Sequence, residues 1–475
     1  MVFSSAVFLI GFLPLFLLTY FAVDKKYKNI VILISSIIFY SWGAPKFIFV
    51  ILGTTFLDYH LVRWMWNTKT PLKRRLMLTL SVTVNIGLLV YFKYSNFFVE
   101  NFNEMLAVVG VDGIKWTKLI LPIGISFYTF ETITYVVDVY RRVHKPLDNF
   151  WDYQVYIIFF PKLIAGPIIR YHELADQITD RSANETIDNR LTGFYRFVIG
   201  LAKKVLIANV MGAEADRIMG LDYATLDATT AWIGILAYTF QIYFDFSGYS
   251  DMAIGIGKMT GFKFPENFNN PYISQSISEF WRRWHMTLGA WMRNYLYIPL
   301  GGNKVDSKAR LFFNLWIVFI FSGFWHGASW SFIVGGAYHG LFLILDRLFL
   351  LKLLQKIGKG PATLFTFFIA VIGWVIFRIE DFGQAMQYYK SMFSFNFKGL
   401  SFTDNPEFYT IFAVAILFAF FASFKKGQRI QDLVYFDTYP LKRHLAISFI
   451  VVILFLCSLA SITSSGFNPF IYYRF

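Results

Sequence analysis

The chain is almost without cysteine. Cys457 is the single cysteine among 475 residues, and it falls inside the last apolar run. One cysteine excludes a disulfide within the chain and a cysteine-based metal cluster. The sequence also lacks the His-Glu-x-x-His, Walker and Gly-x-Ser-x-Gly signatures, which excludes the zinc, phosphate-loop and hydrolase chemistry that those motifs carry. We therefore expect no bound metal ion.

Charged residues are scarce as well. They make up 16% of the chain, whereas a soluble domain usually carries about 25%. Hydrophobic residues reach 56% and aromatic residues 20%, and so high an aromatic content argues against a disordered chain. The apolar residues form long runs, and about 20 of them suffice to cross a bilayer as a helix. The composition predicts an all-α polytopic protein of the lipid bilayer.

The apolar runs extend along the whole chain. We expect about 11 of them to cross the membrane, and interfacial or re-entrant helices to account for the shorter ones. The run Ala6–Val23 has no basic leader or small-residue cleavage site and is predicted to be a retained span. The runs around Gly43, Pro161 and Gly248, the last of them Ala231–Phe246, are expected to be re-entrant or broken helices. No linker or repeat divides residues 1–475, which are interpreted as one domain.

The net charge of +14 comes from lysines and arginines that gather in short loops between apolar runs. Examples are the loops Arg63–Arg75 and Lys304–Arg310, whereas the segment Glu100–Asp112 is acidic. This distribution is typical of the positive-inside rule and not of nucleic-acid binding. It places the basic loops in the cytoplasm and both termini outside.

His326 lies at the end of an apolar run, in the string Phe321–Trp330. An ionisable side chain there is expected to face a bundle interior or a wet cavity. Gly323 and Gly327 allow a ligand or another backbone to come close. Histidine suits proton transfer near neutral pH, but a buried histidine can equally tie two helices together. The residues alone leave both interpretations open.

His285 lies in the stretch Ser278–Pro299, which combines several aromatic residues with Arg282, Arg283 and Arg293. The pattern predicts an amphipathic helix at the membrane interface. Its arginines and tryptophans fit an anchoring belt against lipid headgroups. They also fit a cationic rim for an anionic donor such as the phosphates of coenzyme A. Composition does not separate these alternatives.

Several other residues receive structural interpretations. Asp245 and Asp251 stand on either side of Gly248 and are predicted to cap a broken helix. The Gly255 region, with its Gly-Ile-Gly sequence, predicts close packing of two helices. His339 lies within an apolar run and is interpreted as a structural histidine. None of these residues is assigned a catalytic role from the pattern.

The last eight residues, 468–475, form an aromatic tail that the charge pattern places outside. Such a tail fits an interfacial anchor. It also fits a segment folded back into a cavity, where a tyrosine hydroxyl would accept an acyl group.

Three strings carry a resemblance to a known family: Glu279–His285, Arg293–Asn303 and Phe324–Trp330. They resemble the membrane-bound O-acyltransferases, and within that family the bacterial branch of alginate and peptidoglycan O-acetyltransferases. The resemblance implies a ring of tilted helices around a central funnel. It matches His326 to the essential histidine of the family and His285 to the second motif histidine.

The resemblance also implies a reaction. The acyl donor would be cytoplasmic acetyl-CoA, with no bound cofactor, and Tyr472 would be the hydroxyl that carries the acyl group, with Tyr473 beside it. An extracytoplasmic partner resembling an acyltransferase or esterase would pass the acetyl group to an exported polysaccharide. The location would be the bacterial cytoplasmic membrane. The identity of the glycan stays open.

A transporter or flippase for a polysaccharide or lipid precursor is the alternative function. Many apolar spans and a buried histidine suit it too, but it would need no thioester donor. Many secondary transporters are built from two related halves, and the sequence shows no such repeat.

Overall fold

The computed structural model describes residues 1–398, 405–437, 439–464 and 469–471. Within these ranges every regular element is a helix, and there is no strand. The chain divides into two compact units, one formed by Met1–Thr186 with Thr260–Phe264 and the other by Ile187–Met259 with Pro265–Phe475. The prediction of an all-α protein is confirmed.

Unit 1 contains helices α1 to α9. They are Leu13–Ala22, Lys28–Gly43, Ile48–Asn67, Pro71–Leu89, Ser95–Val108, Ile125–Tyr140, Phe150–Ile158, Phe160–Leu163 and Tyr171–Thr179. A buried ion pair between Lys162 and Glu131 joins α8 to α6. Because both side chains are removed from water, each charge depends on the other for stabilisation.

Unit 2 contains helices α10 to α22. In its described part they are Ile187–Ala202, Asn209–Met219, Ala228–Met259, Ile277–Arg283, Met286–Trp291, Lys308–His326, Trp330–Leu345, Leu351–Ile357, Lys359–Arg378, Phe382–Met392, Pro406–Phe420, Lys425–Tyr435 and Leu441–Ser464. A π-helical turn, Lys203–Ala208, joins α10 to α11. The longest of these helices is α12, with 32 residues.

Six helical segments of the described chain are long and apolar enough to cross a membrane. They are Pro71–Val108, Lys308–His326, Trp330–Ile357, Lys359–Arg378, Pro406–Ser423 and Leu441–Ser464. The last of them exposes apolar side chains, among them Leu445 and Phe449, as a helix facing lipid does. The chain is thus a multi-pass membrane protein, while the expected count of about 11 crossings stays a prediction.

Helix α12 runs without a break through Gly248, with Asp245 and Asp251 in its interior. The prediction that these aspartates cap a broken helix is therefore wrong. Both carboxylates pair with lysines of the π turn instead, because a buried carboxylate needs a cation. The Nζ atom of Lys204 lies 2.6 Å from Oδ1 of Asp245, and that of Lys203 lies 2.6 Å from Oδ2 of Asp251.

Glycines bring α10 and α12 into backbone contact. A Cβ atom at Gly255 would lie 2.6 Å from the carbonyl oxygen of Gly193, and one at Gly248 would lie 2.7 Å from that of Gly200. Small residues at such spacings let two apolar helices approach closely. The prediction of close packing at Gly255 is confirmed, and the same contact explains why Gly248 does not break the helix.

Replacement of Gly255 by leucine should destabilise unit 2, because the side chain has no room against Gly193. Overpacking typically costs about 1–3 kcal/mol, and more where backbone must move. The expected result is a lower midpoint of thermal unfolding in detergent. Gly87→Leu is the matched control, since a Cβ atom there meets nothing within 4 Å and the position is exposed. An unchanged midpoint for Gly255→Leu would contradict this account of the α10–α12 contact.

Candidate active site

His326 is the last residue of α15, and its side chain is buried. The helix begins at Lys308, and the hydroxyl of the N-cap residue Ser307 accepts a hydrogen bond from the backbone N–H of Arg310. A Cβ atom at Gly323 or at Gly327 would overlap Phe332 of the next helix. The expectation that these glycines admit another segment of chain is confirmed, and their close contact with α16 holds His326 in place.

The stretch around His285 is not one helix. Helix α13 ends at Arg283, α14 begins at Met286, and His285 between them has φ of +45°. A left-handed conformation is uncommon for a residue other than glycine and often marks a functional site. The prediction of a single amphipathic helix is wrong here, because the backbone N–H of Met286 donates to the carbonyl of Asn267 instead of continuing the helix.

Asn267 sets the orientation of His285. Its Oδ1 atom lies 3.1 Å from His285 Nδ1 and also accepts hydrogen bonds from the backbone N–H and the hydroxyl of Thr287, while its amide nitrogen donates to Ser250. Because Oδ1 is an acceptor, the proton of the neutral imidazole belongs on Nδ1 and the lone pair on Nε2.

His285 lies outside the candidate membrane spans. Burial lowers its pKa well below the ordinary value, and the nearby His326 lowers it further. Removal from water disfavours the charged imidazolium. The neutral imidazole is therefore the resting form at neutral pH.

The fold brings His285 and His326 together, although 40 residues separate them in the sequence. Their ring centroids are 6.4 Å apart. The ring of Phe246 contacts His285 edge-on at 4.7 Å, and Phe377 contacts His326 at 5.1 Å. Two imidazoles thus meet in an aromatic enclosure that keeps bulk water away.

A small cavity adjoins His326, with a volume of about 30 Å³, enough for one or two water molecules. His339 of α16 lines the same cavity and packs edge-on against Trp281 at 4.9 Å. A Cβ atom at Gly373 would lie 2.5 Å from His339 Nε2, so α18 comes close to the imidazole there. Sequence reasoning assigned His339 only a structural role, yet it shares a cavity with His326.

The three arginines of this region have different environments. The Nε atom of Arg283 donates to Glu279 at 2.8 Å, and its Nη1 donates to the carbonyl of Asn269 at 3.0 Å. Arg282 and Arg293 have exposed side chains. Arg283 therefore ties α13 to the neighbouring loop, whereas Arg282 and Arg293 lie at the surface of the protein.

Tyr472 and Tyr473 lie outside the described residues, but the segment Pro469–Ile471 before them is described. Phe470 and Ile471 are 1% and 3% exposed. Ile471 belongs to the same apolar cluster as Phe246 and Trp284. This part of the tail fits the expectation of a segment folded into the protein and not that of a surface anchor.

Sequence reasoning missed two residues that organise this region. Asn267 gave no signal, because it stands in an ordinary polar stretch, Glu266–Asn270. Lys204 did give a signal in the sequence. Two adjacent lysines within an apolar run carry a large free-energy cost unless each ammonium group has a partner. A search for the carboxylates that pair with Lys203 and Lys204 could have pointed to α12.

Comparison with known proteins identifies the family of this chain. The family model for membrane-bound O-acyltransferases matches residues 142–379. The protein named "Probable alginate O-acetylase AlgI" from Pseudomonas aeruginosa is 45% identical over 397 residues, which cover 83% of this chain and 75% of that protein. The protein of the same name from Azotobacter vinelandii is 39% identical over 507 residues, covering the whole of both chains.

A relative with a different named substrate also matches. The peptidoglycan O-acetyltransferase of Helicobacter pylori is 37% identical over 431 residues, which cover 83% of this chain and 80% of that protein. All three relatives are named for the transfer of acetyl groups to oxygen. The chain belongs to the membrane-bound O-acyltransferase family and is an O-acyltransferase.

Proposed function

We propose that this protein transfers an acetyl group from cytoplasmic acetyl-CoA across the bacterial cytoplasmic membrane toward an exported polysaccharide. The observation that carries the proposal is the buried pair His285 and His326, 6.4 Å apart between ring centroids in a multi-pass membrane protein of this family. The names of the relatives support a glycan as the final acceptor, since they specify alginate and peptidoglycan.

In the proposed reaction His326 acts as the general base. It takes the proton of an acceptor hydroxyl, and the oxygen attacks the thioester carbonyl of acetyl-CoA. The C–O bond forms, the C–S bond breaks, and His326 returns the proton to the departing thiolate. Such proton transfer contributes roughly 10²–10⁴-fold to the rate, and the aromatic enclosure protects the thioester from hydrolysis.

In this proposal His285 orients the reacting pair. Its Nδ1 proton is directed to Asn267, which fixes the imidazole plane beside His326. A ring separation of 6.4 Å is short enough for one hydroxyl oxygen to lie between the two imidazoles and to donate its single proton to His326. The neutral form of His285 places no positive charge beside His326 when that base takes up the proton.

The names of the relatives support acetyl as the acyl group, since they specify an O-acetylase and an O-acetyltransferase. The exposed side chains of Arg282 and Arg293 are suited to the coenzyme A phosphates, because guanidinium groups form paired hydrogen bonds with phosphate oxygens. Arg283 stabilises the helix that carries Arg282 through its hydrogen bonds with Glu279 and Asn269.

Tyr472 is the first acceptor in this proposal. The burial of Phe470 and Ile471 supports a tail that enters the protein and not one that lies on its surface. An extracytoplasmic partner then moves the acetyl group from the phenol oxygen to a glycan hydroxyl, whose proton restores the phenol. This relay gives the transfer its direction, from an inner donor to an outer acceptor.

The first test is His326→Ala. Loss of the general base should lower acetyl-CoA-dependent transfer at least 10²-fold, measured as coenzyme A thiol release in proteoliposomes with partner and glycan. His444→Ala is the matched control, because His444 is hydrogen-bonded to Asp188 and Tyr195 away from the pair. Full activity of folded His326→Ala protein would end the proposal, and glycan movement without thioester consumption would favour the transporter.

The second test is Tyr472→Phe, which removes only the hydroxyl. Acetylation of the glycan should stop, and the acetyl adduct on the C-terminal peptide, measured by mass spectrometry with acetyl-CoA and no partner, should disappear. Tyr473→Phe is the control and should retain both signals. Normal glycan acetylation by Tyr472→Phe would refute the relay while leaving the enzyme class standing.

The third test concerns the neutral state of His285. In Asn267→Asp a carboxylate would face His285 Nδ1 and raise its pKa. Because the neutral imidazole is the working form, activity falls as the pH drops through that pKa. The acid limb of the kcat profile should therefore move to higher pH than in the wild type. Asn269→Asp, at an exposed position, should leave the profile unchanged, and an unmoved acid limb in Asn267→Asp would contradict this role.

A further inference from the structure

The buried ion pair of Lys204 and Asp245 in unit 2 forms hydrogen bonds with main-chain atoms of the C-terminal segment. Lys204 and Asp245 are 2% and 1% exposed, and their Nζ and Oδ1 atoms are 2.6 Å apart. Lys204 lies in the π turn after α10, and Asp245 lies in the interior of α12. A pair removed from water needs further hydrogen bonds to offset the loss of hydration.

Two further hydrogen bonds join this ion pair to the C-terminal segment. The Nζ atom of Lys204 donates to the carbonyl of Pro469 at 3.1 Å, and the backbone N–H of Ile471 donates to Oδ2 of Asp245 at 3.0 Å. The ammonium also lies 4.8 Å from the ring centroid of Phe470, within the range of a cation–π interaction. Three consecutive residues of the tail are thus held by one ion pair.

In both hydrogen bonds the tail contributes a main-chain atom. They fix the position of the backbone and depend little on which side chains the tail carries. Phe470 adds a side-chain contact, with its ring edge-on to Tyr249 at 5.0 Å between centroids. An ion pair that only joined two helices would not need atoms of the tail to complete its bonding.

The pair also lies next to the residues around His285. Asp245 is followed in α12 by Phe246, whose ring contacts His285 at 4.7 Å. Ile471, which Asp245 binds, is followed by Tyr472, and consecutive Cα atoms are about 3.8 Å apart. The carboxylate therefore connects the residue before the proposed acyl carrier to the helix that packs against His285.

We propose that Lys204 and Asp245 are positioning residues that clamp Pro469–Ile471 and so present the hydroxyl of Tyr472 for acyl transfer. This inference rests on the proposed function for its catalytic consequence. The clamp itself is a structural feature that can be measured without any acyl transfer, so the two claims can fail separately.

The main test replaces the pair in the full-length protein with Lys204→Met and Asp245→Leu together. Exchange of both members of a buried ion pair for apolar residues often leaves stability nearly unchanged. The tail should be released, and carboxypeptidase should then trim the C-terminus at least ten times faster, measured by intact-protein mass. Transfer of acetyl groups to the glycan should fall at least tenfold in kcat, with the KM for acetyl-CoA unchanged.

A matched control is available in unit 1. Lys162 and Glu131 also form a fully buried ion pair, which binds no part of the described tail. The double variant Lys162→Met with Glu131→Met should keep the C-terminus protected and the kcat near that of the wild type. This control separates the loss of the clamp from the loss of any buried ion pair.

A conservative variant tests for rescue. In Lys204→Gln with Asp245→Asn, the amide groups can still donate to the Pro469 carbonyl and accept from the Ile471 N–H. Protection of the tail and most of the transfer activity should be retained. If the apolar double variant does not fold, Ile471→Pro serves instead, because it removes the N–H that Asp245 binds without altering the helices.

Two results would overturn the inference. A tail that stays protected in both the apolar double variant and Ile471→Pro would show that there is no clamp. A released tail with unchanged glycan acetylation would show that the clamp does not position the acyl carrier. If Tyr472→Phe proves fully active, the relay fails, while the trimming rate still decides whether Lys204 and Asp245 hold the tail.

Discussion

The free-energy cost of placing ionisable groups in an apolar interior determines how the buried polar residues of this structure are arranged. Two buried ion pairs illustrate this: Glu131 with Lys162 in the first unit, and Asp245 with Lys204 in the second. His285 follows the same principle in a neutral form, through its contact with Asn267. In these cases the position of a buried polar group is determined by its partner and not by hydration.

Glycine supplies the second constraint, because it decides how closely the helices carrying those groups can approach. Gly248 and Gly255 let α12 pack onto the backbone of α10, which brings Asp245 within reach of Lys204. Gly323 and Gly327 do the same for α15 and α16 around His326. The geometry of the polar groups therefore depends on glycines, which have no reactive side chain.

The proposed reaction requires that water be kept from a thioester while protons move between buried atoms. In that proposal the aromatic rings around His285 and His326 would meet the first requirement, and the two imidazoles the second. Burial of Phe470 and Ile471 places this part of the tail inside unit 2, as the proposed acceptor on the chain itself requires. In unit 2, the pairing of charges, the close packing of helices and the proposed relay therefore depend on the same apolar interior.

The sequence by itself determined the helical membrane class and the close helix packing at Gly255, since hydropathy and small residues act locally and at fixed spacing. Its resemblance to the acyltransferase family singled out His285 and His326, whose catalytic roles stay predictions. It predicted a helix break at Gly248 and an unbroken helix through His285, and both predictions were wrong. Whether a glycine or an aspartate interrupts a helix depends on what packs against it, here Gly200 and Lys204, both distant in sequence. Only the tertiary structure could decide that, because the partner of a buried charge is chosen by proximity in space.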